Sequence, residues 1–257
     1  MEKVKVESDF KNYDTEWYMH NLLTSDEASY NMRFDVELLH RFFNKHNLSG
    51  KRLLDVGTGP TIHTLITACN YVDEIFLSDY MPQNLRYLER WHEGETNQAV
   101  KLIEHVVSLE GRTMNARDRE DELRKKVKGI LPVDVTSSKP LGEAFSSKPM
   151  FDIIVSSYCI ETAVFTVEGY EKCLENISSL LRKDGYLILF ACLNGDNYQI
   201  GDYKYRALSI NKEELQACVR QAGFEIMATD KAAETDYDAK YMSFDSYFYI
   251  LGRKMNC

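Results

Sequence analysis

The sequence predicts an α/β protein: a Rossmann-like, seven-stranded mixed sheet with an N-terminal helical lid. Three observations carry this. Arg52-Leu53-Leu54-Asp55-Val56 is an apolar strand that meets Gly57-Thr58-Gly59, and Pro60 opens a helix. That order describes a buried strand, a tight turn that lets backbone approach a ligand, and a helix N-terminus. A second apolar strand, Ile75-Phe76-Leu77-Ser78-Asp79, ends in a carboxylate 24 residues after Asp55. Two late apolar runs, 224–229 and 246–252, are close enough in sequence to pair antiparallel.

The elements follow in order. Tyr13, Trp17, Tyr18, Leu22 and Leu23 form a loosely helical aromatic stretch. From Asp26 a longer helix is expected, with Phe34, Leu38, Leu39, Phe42 and Phe43 at three- and four-residue spacing. Residues 1–50 thus precede the sheet and serve as a lid, because three large aromatic rings are costly to leave in water. After the glycine turn come a helix from about Thr61 to Asn70, a strand at 74–78 and a helix over 83–92. This alternation builds parallel sheets with helices on both faces. A helical insertion over 93–128 interrupts it; its charged run, Arg117 to Lys128, reads as a solvated face suited to the helix dipole.

Ile130 to Thr136 is a short strand with a proline at its entry. A loop over 137–149, a buried strand at 151–157, a helix over 167–181 and a strand at 186–192 follow. Asn194 to Leu208 reads as a polar loop rich in tyrosine. Asn211 and Glu214 form a capping box for a helix that Gly223 stops. Residues 231–245 form the loop between the last two strands, with Asp236, Tyr237, Tyr241 and Asp245. All 257 residues are read as one domain.

Composition narrows the function. A formal net charge of −9 and the lack of a long basic run argue against nucleic acid as partner. No run approaches the roughly 20 apolar residues of a membrane span, and the N-terminus lacks a secretion signal. Six scattered cysteines without a C-x-x-C pair suit reduced thiols, so a cytoplasmic protein is expected. Histidines are too dispersed for a metal site.

The chemistry starts from the glycine turn. A dinucleotide fingerprint needs a third glycine where Ile62 stands, which argues against a nicotinamide cofactor. The pattern D-x-G-x-G holds S-adenosyl-L-methionine instead, and Asp79 stands where a doubly wound sheet binds ribose hydroxyls.

Asp55-Val56-Gly57-Thr58-Gly59-Pro60-Thr61-Ile62 and Ser78-Asp79-Tyr80-Met81-Pro82-Gln83-Asn84-Leu85 resemble the cofactor motifs of one small family. It comprises the nicotinamide, phenylethanolamine and indolethylamine N-methyltransferases, with the fold of class I S-adenosylmethionine-dependent methyltransferases. Leu123-Arg124, Asp134-Val135-Thr136, Pro140-Leu141-Gly142 and Ser156-Ser157-Tyr158-Cys159 agree in order, so the resemblance runs from about Tyr13 to Lys254. It implies that Gly57, Thr58 and Gly59 form the turn around the methionine portion and that Thr61 bonds its carboxylate. Asp79 takes the ribose hydroxyls, with Tyr80 beside the adenosine and Asn84 adding a polar contact. Asp134 accepts from the adenine amine, Val135 supplies a backbone donor and a wall, and Ser157 lies near the methionine end. Tyr18 closes over the cofactor. The family's usual monomeric state is implied too.

The substrate half departs from the family pattern. Ala191 stands where nicotinamide-specific members have an aspartate, Ala207 where they have a serine, Leu23 at a second N-terminal tyrosine and His63 at the tyrosine after the turn. An N-methyltransferase of a small amine or N-heteroaromatic compound is expected; nicotinamide itself, or an oxygen or protein acceptor, stays open. A non-catalytic binder would be expected to lose a cofactor residue. An aliphatic amine needs a carboxylate to orient it or take its proton, whereas a pyridine nitrogen does not. Asp245, before the last strand, and Glu161, after the fourth, are the candidate acids, with Tyr198 as a cover for an aromatic acceptor.

Overall fold

The computed structural model describes residues 5–7, 10–21, 32–145, 150–233 and 240–255. Strand β1 (Lys5–Glu7) and helix α1 (Thr15–Met19) precede α2 (Arg33–Lys45). Then come β2 (Gly50–Val56), the one-turn α3 (Leu65–Ala68), β3 (Val72–Asp79), α4 (Pro82–His92), α5 (Val100–Leu109), α6 (Ala116–Lys126) and β4 (Val127–Pro132). The second half holds β5 (Phe151–Ser157), α7 (Ile160–Ala163), α8 (Val167–Leu180) and β6 (Leu181–Leu193). It continues with β7 (Asn197–Ile200), β8 (Tyr203–Arg206), α9 (Lys212–Gln221), β9 (Phe224–Ala233), β10 (Met242–Ser243) and β11 (Ser246–Lys254).

Seven strands form one sheet in the order β4-β3-β2-β5-β6-β11-β9. It is parallel from β4 to β6, and β11 runs antiparallel to both neighbours. The chain winds outward from β2 to β4 and then returns to place β5 on the other side of β2. The switch point therefore lies between β2 and β5, and a crevice opens outside the carboxyl ends there. Apolar side chains cover both faces. Leu53, Ile75, Leu77 and Val155 meet α2, α5 and Trp91 on one face; Leu54, Ile154, Leu187 and Ile250 meet α8 and α9 on the other.

Several expectations are corrected. Helix α2 is a core element, with Val36, Leu38, Leu39, Phe42 and Phe43 buried against the sheet, and only its N-terminal end reaches the crevice, beside Tyr13 and Tyr18 of the segment around α1. Leu22, Leu23 and Asp26 lie outside the described residues. The helix expected from Thr61 begins only at Leu65, because Thr61 and Thr64 spend their hydroxyls on Thr58, His63 and Asp55. The tyrosine-rich loop is a hairpin, β7–β8, closed by Gly201 at φ +59°. With β1 and β10 it makes a second, four-stranded sheet in the order β1-β8-β7-β10. The charged helix is only partly a solvated face. Arg119 is fully buried on Glu110 and Asn70, and Glu120 accepts from Trp91 Nε1 at 2.6 Å and from the Gln98 amide.

Candidate active site

A cavity of about 860 Å³ opens at the switch point. Its first wall is the turn after β2. Gly57 and Gly59 have φ of +71° and +65°, a region that side chains rarely adopt. Gly57 is also tight: a Cβ there would lie 2.5 Å from Cβ of Cys159. Around Gly59 nothing lies within 4 Å of such an atom, so its backbone is open to a ligand.

Asp79, at the end of β3, is 5 % exposed and tied down on several sides. Its Oδ2 accepts from the Gly59 amide at 2.8 Å, and its Oδ1 from the Met81 amide and from Asn84 Nδ2. Burial pushes this carboxyl up, against the opposing pull of those donors. Asn84 is fully buried and also accepts from Thr15 Oγ1, so it orients Asp79 from behind. Asp134, after β4, accepts from the Thr136 amide and hydroxyl through Oδ1. Val135 turns its carbonyl to Asn176, and Tyr80 stands exposed at the rim.

Buried polar atoms without partners face this space. They include Ser157 Oγ, His63 Nε2 and the second oxygens of Asp55 and Glu161. Unpaired buried polar groups are costly, and a polar ligand in the cavity would meet them. Burial pushes the carboxyls of Asp55 and Glu161 up to about 7 each, and the His63 imidazole down to about 4. Glu161, 3 % exposed on α7, accepts from the Cys192 amide at 3.2 Å through Oε1.

Aromatic rings close the space from above. Tyr13 and Tyr18 of the N-terminal segment lie 6.0 Å apart, and Tyr205 stacks on both Phe10 and Tyr198. Trp17 meets Tyr241 edge-on at 5.2 Å. The second sheet thus clamps the N-terminal segment across the crevice.

Of the residues expected from sequence, Tyr18, Gly57, Thr58, Gly59, Thr61, Asp79, Tyr80, Asn84, Asp134, Val135, Ser157, Glu161 and Tyr198 line this one cavity. Asp245 does not. It is exposed in the turn before β11 and accepts from Asn194 Nδ2 at 2.7 Å. Ala191 is buried within β6, and its neighbour Cys192 faces the cavity instead. Sequence reading missed Asp35, Tyr158, Tyr247 and Tyr249 in the wall. A buried acid at a core-facing helix position, Asp35 beside Val36, was the available signal for the first.

Among the described residues, no group of three or more His, Cys, Asp or Glu is placed to hold a metal ion. None of the described helices is long and apolar enough to cross a membrane.

Comparison with known proteins converges. The sequence profile of the NNMT/PNMT/TEMT family matches residues 2–255. Nicotinamide N-methyltransferase of Sus scrofa is 32% identical over 227 residues, 88% of this chain and 85% of that protein. Indolethylamine N-methyltransferase of Mus musculus is 28% identical over 95% of this chain and 92% of its own. Phenylethanolamine N-methyltransferase of Homo sapiens is 29% identical over 74% and 68%. The fold is shared with N-methyltransferase NodS from Bradyrhizobium japonicum, solved with S-adenosyl-L-homocysteine. Its TM-score is 0.55 at 10% identity, covering 94% of this chain and 99% of that one.

Proposed function

Because the chain belongs to the NNMT/PNMT/TEMT family, and is thus an S-adenosylmethionine-dependent N-methyltransferase, we propose that its acceptor is a small amine or N-heteroaromatic compound enclosed in this cavity. The observation that carries the reading is the pairing, in one cavity, of a cofactor cradle with the buried acid Glu161. S-adenosylmethionine supplies, when bound, an electrophilic methyl group on a sulfonium. The glycine turn, Thr61 and Ser157 hold its methionine end, Asp79 the ribose hydroxyls, and Asp134 and Val135 the adenine. The open backbone at Gly59, the unpartnered Ser157 hydroxyl and the strand-end acids all suit that ligand.

The remaining work is positioning and exclusion of water. An amine nitrogen must be neutral to attack. It gains a carbon–nitrogen bond as the carbon–sulfur bond breaks, and an alkyl amine that arrives as the ammonium must first give up one proton. Glu161, with its carboxyl near 7, is poised to take a proton at neutral pH. Tyr198 covers the acceptor, and Tyr18 closes over the cofactor. We read the protein as a cytoplasmic monomer whose partners are small molecules, in keeping with its scattered cysteines, none in a C-x-x-C pair, and its acidic charge.

The test is methyl transfer by the purified protein to nicotinamide, quinoline, tryptamine and phenylethanolamine-type amines, reading S-adenosylhomocysteine and the methylated product. Turnover of at least one is expected. Binding of S-adenosylhomocysteine without transfer to any small nitrogen acceptor would overturn the reading.

A further inference from the structure

The cavity holds an acid that none of these roles uses. Asp35 of α2 is 6 % exposed and lines the wall. Its Oδ1 accepts from the Tyr158 hydroxyl and the Tyr249 hydroxyl, each at 3.0 Å. Burial first, and the Asp35 charge next, push both phenols up, so both stay protonated as donors. Further rings pack on the two partners of Asp35: the Tyr247 ring lies 5.4 Å from that of Tyr158, and the Phe34 ring 5.4 Å from that of Tyr249. A carboxylate set among aromatic faces attracts a cation through charge and through the ring quadrupoles together.

Topology places this pole away from the cofactor acids. Asp79 and Asp134 follow β3 and β4, on one side of β2. Tyr158 follows β5 and Tyr249 belongs to β11, on the other side. Tyr18 stands between the two groups: its hydroxyl, pushed up to about 12 by burial, also feels Asp79 and then Asp35. Two further charges of α2 line the cavity. Arg33 is exposed, and Glu37 turns to His105 at 2.7 Å.

We propose that Asp35, with Tyr158, Tyr247 and Tyr249, forms a cation-recognising subsite that selects aliphatic ammonium acceptors over neutral N-heteroaromatic rings. The inference rests on the acceptor reading above and narrows it. The subsite acts in binding; the ammonium proton passes to Glu161 before the methyl moves.

Calorimetry on the complex with S-adenosylhomocysteine tests it, using tryptamine and phenylethylamine, each beside its alcohol analogue, and quinoline. The wild type is expected to bind at least one amine about 10-fold or more tighter than its alcohol. Asp35→Asn should erase that preference, a loss of about 10- to 100-fold for a charge-assisted bond. Affinities for quinoline and S-adenosylhomocysteine should stay within about 2-fold. Equal amine and alcohol affinities in both pairs would overturn the proposal. So would equal losses for amine and quinoline, or weakened S-adenosylhomocysteine binding, which would put Asp35 at the cofactor's own ammonium. If Asp35→Asn does not fold, Tyr158→Phe is read instead: amine affinity should fall about 3- to 10-fold with the alcohol unchanged, and an unchanged amine overturns the proposal. Amine preference lost in Asp35→Asn but no methylated product from any acceptor would sustain the subsite while defeating the reading beneath it.

Discussion

Thr15 donates its hydroxyl to Asn84 Oδ1 at 3.0 Å, across 69 residues of chain, and Asn84 in turn donates to Asp79. One buried amide therefore joins the segment that covers the cavity to the acid that closes β3. Thr15 and Asp79 are the two ends of one hydrogen-bonded chain.

Breaking that chain should be felt at both ends. Asn84→Ala takes the acceptor from the Thr15 hydroxyl and one of three donors from Asp79, at a cost of about 1–3 kcal/mol. S-adenosylhomocysteine affinity is expected to fall roughly 10-fold by calorimetry, with faster proteolysis before α2. Asp79→Ala should cost more affinity than Asn84→Ala. Equal, undiminished affinities in both variants would remove the ribose role from Asp79.

The turn after β2 allows a compensation test. Gly57→Ala drives a Cβ into Cys159 and forces an alanine to φ +71°. We expect a loss of roughly 1–3 kcal/mol in stability and weaker cofactor binding. Adding Cys159→Gly relieves the collision but not the backbone strain, so it should restore part of the loss. No rescue at all in thermal unfolding would mean that φ alone dictates glycine here.

Glu161 sets a pH profile with a defined sign. Its carboxyl lies near 7, and only the ionised form accepts a proton. For an amine acceptor, kcat/KM should rise with pH through about 7, ahead of the amine's own ionisation at higher pH. Glu161→Gln should abolish the lower limb and reduce kcat by about 10²-fold, the usual worth of a general base. A limb near 7 that survives in Glu161→Gln would assign that titration elsewhere.

Much of the sheet was legible because its signals are local. The apolar run into Gly57, the strand-end acids Asp79 and Asp134, and the capping box at Asn211 are each read within a few residues. The second sheet was not, since Tyr198, Tyr203 and Tyr205 alternate over strands of four residues, and their partners at 5–7 and 242–243 are distant. The cavity wall around Asp35 was hidden for the same reason. Asp35, Tyr158 and Tyr249 meet only through tertiary packing, across 123 and 214 residues. The place of Asp245 outside the cavity lining was not legible either, since it depends on β11 running antiparallel and on the bond from Asn194 to the turn before it.

Asp55 gives the last prediction, on stability. Complete burial lifts its carboxyl from 3.8 to about 7, although Thr64 Oγ1 donates to Oδ2 at 2.5 Å. The folded state thus binds this proton more tightly than the unfolded chain does. The contribution to stability is full below about pH 4 and is lost as pH rises through 7. Glu161, raised to about 7 as well, has the same sign. The ligand-free protein should therefore melt at lower temperature at pH 8 than at pH 5, by about 5 kcal/mol or roughly 15 °C from these two groups together. Asp55→Asn is neutral at every pH and keeps an acceptor for Thr64. It should flatten the slope between pH 5 and 8 and raise the midpoint at pH 8, by differential scanning calorimetry. An unchanged slope in Asp55→Asn would show that the buried carboxyl ionises in the folded protein as easily as in water.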